Sequence, residues 1–392
     1  MPLIRPVSVS VNESIKKEHK LLGLDHLRAF AIVYVFLYHY QFFGHPDWES
    51  KISKFGWTGV DLFFVLSGFL ISRQFFSTVA KGKMISMRAF FVKRFFRIIP
   101  PFVVVILLYA TIPGLREYGH LAPLWEYLTF TLNLSFDLNK YRTFTHAWSL
   151  CVEEQFYLIL PVSFWLFNYF KAGKKSAYLL LALFIAGIII RLLGWYHFVQ
   201  PHLSSGNYVA TWFDHIYFPT YNRLDGLLMG VGIAGLFTFH PGIKEWINGR
   251  SNILLLVGLL ILAAAYFVCT PQVAFSTSIF GFPLVSLGYG VIVAAIICPN
   301  CIFYKIKSVI TSQLAALSYS IYLIHKMVIH ITQYELGNMG MDKRGNLMML
   351  ICILATLAAA LIMRYTIEKP ALRLRNKILY KWNYNKEPKF AN

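Results

Sequence analysis

Ten mostly apolar segments follow one another along 392 residues, read at roughly 24–43, 57–76, 97–112, 149–170, 177–194, 222–240, 251–269, 283–303, 313–332 and 346–365. Each is close to the ~20 residues that cross the hydrocarbon layer of a bilayer. Lipid offers no partners to backbone N–H and C=O groups, so such segments must be helical. The expected fold is all-α: a polytopic membrane protein with about ten transmembrane helices. Composition agrees, since 57% of residues are apolar and only 14% charged, against about 25% charged in soluble domains. Residues 1–23 read as an N-terminal segment, 24–368 as the membrane unit and 369–392 as a basic tail with a polar end. No cleavable signal peptide is expected ahead of the first span.

The net charge of +19 has a pattern that excludes nucleic acid as a partner. Basic residues alternate with the spans. One side receives Lys16, Lys17, Lys20, the loop carrying Lys81, Lys83, Arg88, Lys93, Arg94 and Arg97, then Lys171, Lys174, Lys175, Lys244, Arg250, Lys305, Lys307 and the tail, including Lys386 and Lys389. The other side receives only Lys51, Lys54, Arg116, Lys140, Arg142, Lys343 and Arg344. The richer side is expected to be cytoplasmic, with both termini on it. Residues 113–148 are the weak point. Their run LAPLWEYLTFTLNL is apolar enough to lie in the interface or re-enter, and a full crossing would invert everything after it.

Ionisable residues inside such spans are costly, and they mark candidate chemistry. Arg28 and His39 share the first span, eleven residues apart; on a helix this is about 16 Å along the axis and about 20° around it. An arginine near the cytoplasmic surface is thus aligned with an imidazole toward the outer half. Arginine holds a phosphate or carboxylate with its planar fork, whereas a neutral histidine accepts a proton from a hydroxyl. Arg94 and Arg97, in FVKRFFRIIPP, lie three apart on one helix face at the start of the third span. They suit either a cytoplasmic anchor or a cradle for a phosphorylated donor.

The run THAWSLCVEEQFYLILPV supplies Trp148, Glu153, Glu154 and Tyr157. Glu153, expected near the outer mouth, can orient His39, or it can pair with an arginine for structure; Tyr157 shares its face. Asp61 opens the second span, Arg223 and Asp225 open the sixth, and SYSIYLIHKM carries Ser318, Tyr322 and His325. Ser67 reads as packing, without the GxSxG setting of a nucleophile. CPNC at 298–301 reads as small apolar residues at a helix end. No HxxxH or HExxH spacing is present and no metal is expected; no phosphate loop or GxGxxG occurs.

Taken together, LDHLRAFAIVYVFLYH, WTGVDLFFVLSGFLIS, VKRFFRIIPP, HAWSLCVEEQFYLILP, NRLDGLLMG, LSYSIYLIH and the C-terminal YTIEKP resemble the acyltransferase-3 family of integral membrane sugar and polysaccharide O-acyltransferases. The resemblance implies a transmembrane acyltransferase domain over 24–368 in the cell (inner or plasma) membrane. It implies acyl-coenzyme A, with acetyl as the default group, taken from the cytoplasm, and a carbohydrate or glycolipid acceptor on the far side. It places the coenzyme A contacts on Arg28, Arg94 and Arg97 and the chemistry on His39 and Glu153. Asp61, Trp148, Glu154, Tyr157, Arg223, Asp225, Tyr322 and His325 are expected around the acceptor or in structural support. His26 departs from the family, which commonly has glycine there. Some members carry a further extracytoplasmic hydrolase-like domain, for which no residues are expected here. Direct transfer is favoured over an acyl-enzyme. The rival readings are a transporter or flippase of a charged metabolite or glycan precursor, which would commonly show a repeat between its halves, and a sensor built on an inactive enzyme fold.

Overall fold

The computed structural model describes residues 22–82, 85–169 and 176–384. Lys16, Lys17, Lys20, Lys83, Lys171, Lys174, Lys175, Lys386 and Lys389 lie outside the described residues. All regular structure among the described residues is helical. The long helices are α1 (Leu22–Tyr40), α2 (Gly59–Ala80), α3 (Met87–Thr111), α4 (Trp148–Tyr169), α5 (Ser176–Gly194), α6 (Asp225–Phe239), α7 (Ser251–Val268), α8 (Phe282–Ile296), α9 (Val309–Asn338), α10 (Asn346–Met363) and α11 (Lys369–Tyr384).

Among the described residues six helices are long and apolar enough to cross a membrane, or seven if α6 and Pro241–Gly249, bent by 106°, form one span. The expected count of ten exceeds this set. The helices α1, α3 and α4 correspond to expected spans but fall outside it, and each carries site residues: Asp25 and Arg28, Arg94 and Arg97, Glu153 and Glu154. The chain is an integral, all-α membrane protein. Residues 113–147 contain no helix longer than five residues, too short to cross a membrane as a helix. The third span does not begin at Pro100–Pro101 but runs through both prolines from Met87, where the Ser86 hydroxyl caps the helix by accepting the Ala89 N–H at 3.3 Å. The start of the tail is not loose: α11 continues from α10 through one wide turn and packs on α3.

Glycine sets the tightest crossing. A Cβ on Gly68 of α2 would lie 2.2 Å from the Leu227 carbonyl oxygen, and one on Gly230 of α6 would lie 2.2 Å from that of Val65. Backbone meets backbone there, the packing that small residues permit in lipid. This crossing fixes Asp61 and Asp225, both near the N-terminal ends of their helices, at the same end of the bundle. Two buried ion pairs result. Asp61 accepts from Arg223 at 2.7 Å, and Asp225 accepts a two-pronged bond from Arg191 at 2.7 and 3.0 Å. Arg223 and Asp225 thus take different partners, as their two-residue spacing predicts. The five cysteines are buried and free.

Candidate active site

Helix α1 runs between two cavities. Arg28 lines a cavity of about 200 Å³ at its first end, and His39 lines one of about 420 Å³ at its last.

At the His39 end, α9 lies against α1 and brings His325 to His39. The His325 Nδ1 faces the carbonyls of Tyr322 at 2.8 Å and Ile321 at 3.1 Å. Carbonyls only accept, so this nitrogen carries the proton and Nε2 is left as an acceptor. His39 Nδ1 stands 3.0 Å from that acceptor and 3.0 Å from the Val35 carbonyl. Both neighbours accept, so His39 Nδ1 is a donor and its proton-accepting nitrogen is Nε2. The half-buried His39 presents its ring to the cavity. A carbonyl–histidine–histidine chain thus fixes the tautomer, a task usually given to a carboxylate.

A third histidine completes the group. His146 has ring centroids 5.6 Å from His39 and 4.8 Å from His325, and its Nδ1 is buried without a partner. Tyr322 donates to the His146 carbonyl at 2.8 Å and shares a 2.5 Å hydrogen bond with Ser149, which holds the turn before Trp148 against α9. Trp148 lines the cavity and lies over Arg223, whose guanidinium is also 4.4 Å from the Tyr217 ring centroid and 4.2 Å from that of Phe282. Asp61 and Arg223 therefore brace the aromatic floor and do not line the cavity.

Glu153 does not meet His39. Tyr157 donates to it at 2.7 Å, Ser67 lies in hydrogen-bonding reach, and its neighbouring charges are Arg94 and Arg28. The correction has a simple cause. Glu153 is one and a half turns into α4, too deep to reach the mouth where α1 ends. Glu154 lies beside it, half-buried, with Oε1 buried and unpartnered.

At the Arg28 end, Arg97, Arg364, Lys369, Glu368 and Asp25 join Arg28 around the smaller cavity. Arg97 forms an ion pair with Glu368, which also accepts from Ser320 at 3.1 Å. Arg94 leaves this group despite its helical spacing from Arg97: it lies over the Tyr157 ring at 5.1 Å and faces the two glutamates. Arg364 Nη1 is buried without a hydrogen-bond partner, and three basic side chains besides it line the same small cavity. Such a donor set fits a phosphate-bearing ligand. Nearby, His26 ties α1 to the start of α9 through the Ile306 carbonyl at 3.0 Å and the Thr311 hydroxyl at 2.8 Å, which accounts for an imidazole where the family commonly has glycine. Among the described residues no group of His, Cys, Asp and Glu could hold a metal ion.

The profile of the acyltransferase-3 family, described as an acyltransferase domain, matches residues 21–365. The chain belongs to that family. It is 28% identical over 336 residues to the O-acetyltransferase OatA of Staphylococcus aureus, in strains NCTC 8325 / PS 47, COL and MRSA252 alike, covering 81% of this chain and 52% of the relative. The chain therefore spans about half the length of the curated relatives it matches. No solved structure matches it.

Contributors to the two cavities without an assigned role in the sequence include His146 and Lys326, which stand in quoted runs, and Arg364. Arg191 was not singled out at all. His146 lies two residues before Trp148 and Lys326 directly follows His325, so proximity to assigned residues was the available signal. For Arg364 and Arg191 there was none, because both are brought in by helices distant in sequence.

Proposed function

We propose that this protein is a membrane O-acyltransferase that moves an acetyl group from coenzyme A, bound at the Arg28 end, to a glycan hydroxyl in the cavity at the His39 end. The observation that carries this reading is the His39–His325 hydrogen bond, which leaves His39 Nε2 as a base beside a cavity while the same helix lines a cationic pocket at its other end. The family and the names of its relatives support the reaction class. By the distribution of basic residues, the Arg28 end is cytoplasmic and both termini lie there. Residues 24–368 are then the acyltransferase unit.

Arg28, Arg97, Arg364 and Lys369 hold the donor's phosphates. Arg94, one turn earlier in α3, orders the Glu153–Tyr157 pair. The coenzyme supplies a thioester whose carbonyl is open to attack. The acceptor hydroxyl lies against His39 Nε2, which takes its proton as the new ester oxygen bond forms. His325 keeps His39 Nδ1–H in place, so the imidazolium is hydrogen-bonded as it appears. The departing thiolate is the site to which that proton returns, so the histidine ends neutral. About 16 Å of α1 separates the two ends, a gap for the extended arm of the donor to bridge, so neither substrate's polar part crosses the bilayer.

Replacing His39 by alanine should abolish acetyl transfer while the protein still inserts and binds coenzyme A. Mass spectrometry of envelope glycans from cells with wild-type, His39→Ala or no protein reads the result. Acetylation by His39→Ala at the wild-type level would end the assignment.

A further inference from the structure

The larger cavity is electrostatically one-sided. Two cations line it, Arg142 and Lys326, and no Asp or Glu does. A neutral sugar needs no such bias.

The two cations are held differently. Lys326 is buried and reaches the cavity from α9; Thr145 Oγ1 lies 3.2 Å from its Nζ, and Glu117 Oε1 lies 3.2 Å away as a buried counter-charge. Among the described residues only Thr145 is hydrogen-bonded to Lys326, so an ammonium with three donors has capacity left for a ligand. Arg142 is exposed at the mouth, where only its Nε is engaged, on the Leu138 carbonyl at 3.1 Å. No carboxylate among the described residues pairs with it. Two acidic groups of this region are engaged elsewhere: Asp137 Oδ1 accepts the Asn139 and Lys140 N–H groups, and both Asp214 oxygens accept the Leu138 N–H at 3.1 and 3.2 Å. The guanidinium Nη groups therefore have no hydrogen-bond partner among the described residues and border the cavity. Trp57, Trp148 and Tyr217 give the cavity an aromatic wall.

We infer that the acceptor is an acidic glycan, a sugar bearing a carboxylate that Arg142 binds at the mouth and Lys326 receives deeper in, so that a neighbouring hydroxyl is delivered to His39. The inference rests on the acyltransfer reading and adds the class of acceptor. An arginine fork and a carboxylate match in shape as well as charge.

Protein reconstituted in vesicles is given acetyl-coenzyme A and one of two matched acceptors: galacturonate oligomers, or the same oligomers with their carboxyls reduced. Binding of each oligomer is measured by titration alongside transfer. The acidic oligomer should bind and be acetylated with a kcat/KM at least about tenfold above its reduced counterpart, the size of one lost charge-assisted contact. Arg142→Gln should collapse that ratio through KM, and Arg142→Lys should restore part of it. Equal efficiency on both oligomers, or a ratio unmoved by Arg142→Gln and Lys326→Met, would overturn the acidic-acceptor inference while acyltransfer stands. If neither oligomer binds but His39-dependent release of coenzyme A persists, the inference likewise fails alone. If that release is also absent, the acyltransfer reading fails with it.

Discussion

His325 does for His39 what a carboxylate commonly does, and it does so without introducing a buried negative charge. If His39 is the base, the role of His325 is positional and its loss should act on turnover. His325→Ala should lower kcat by roughly 10²–10⁴ with a smaller effect on acceptor KM. His325→Gln, whose amide oxygen can accept the His39 Nδ1–H, should retain more activity than His325→Ala; steady-state kinetics on the three proteins decides. The sequence made His39 and His325 both legible, because an imidazole within an apolar span is conspicuous. Their pairing was not legible, since it depends on how α1 and α9 register in depth. For the same reason Glu153 was given to His39 when it belongs with Tyr157 and the arginines. A second residue makes a test outside the long apolar helices. Burial pushes the Asp214 carboxyl up to about 7, well above the ~3.9 of a free aspartate. Between about pH 4 and 7 the folded protein therefore holds a proton that the unfolded chain has released, and stability falls as pH rises through that window. Asp214→Asn keeps an oxygen for the Leu138 N–H and should flatten this decline in thermal unfolding measured across pH.

At the scale of helices, the α2–α6 crossing is the joint that places both ion pairs at one end of the bundle. Gly230→Ala puts a methyl group 2.2 Å from a backbone oxygen and 2.4 Å from the Phe69 nitrogen, so relief requires the helices to separate. Overpacking of this kind costs about 1–3 kcal/mol, which should appear as a lowered Tm of the purified protein. Gly235→Ala, whose nearest neighbours are Phe76 ring atoms at 3.7 and 4.0 Å, should leave Tm near the wild type. Gly226 and Gly230 stand four residues apart in the NRLDGLLMG run, a spacing of small residues that allows close helix packing. Helix positions were also largely readable, since hydrophobic length sets them. What composition could not show was the extent of α3 through its prolines, nor the helical continuation of α10 into α11, because a polar, basic sequence gives no sign that it packs on α3.

On the scale of the whole molecule, the chain closes on itself around the smaller cavity. The end of α10 and the start of α11 return Arg364, Glu368 and Lys369 to the helix that began the fold. If that cavity holds the donor, Arg364→Ala should weaken coenzyme A binding by about tenfold to a hundredfold, the loss of a charge-assisted contact of ~1.5–3 kcal/mol. Calorimetry checks it, and an unchanged Kd would leave Arg364 as a helix anchor. The two-ended arrangement predicts that donor and acceptor meet from opposite sides. In sealed vesicles of one orientation, labelled acetyl-coenzyme A supplied only at the Arg28 face should label glycan held only on the His39 face. Labelling of glycan supplied with the donor on the Arg28 face, and none across the membrane, would contradict the account.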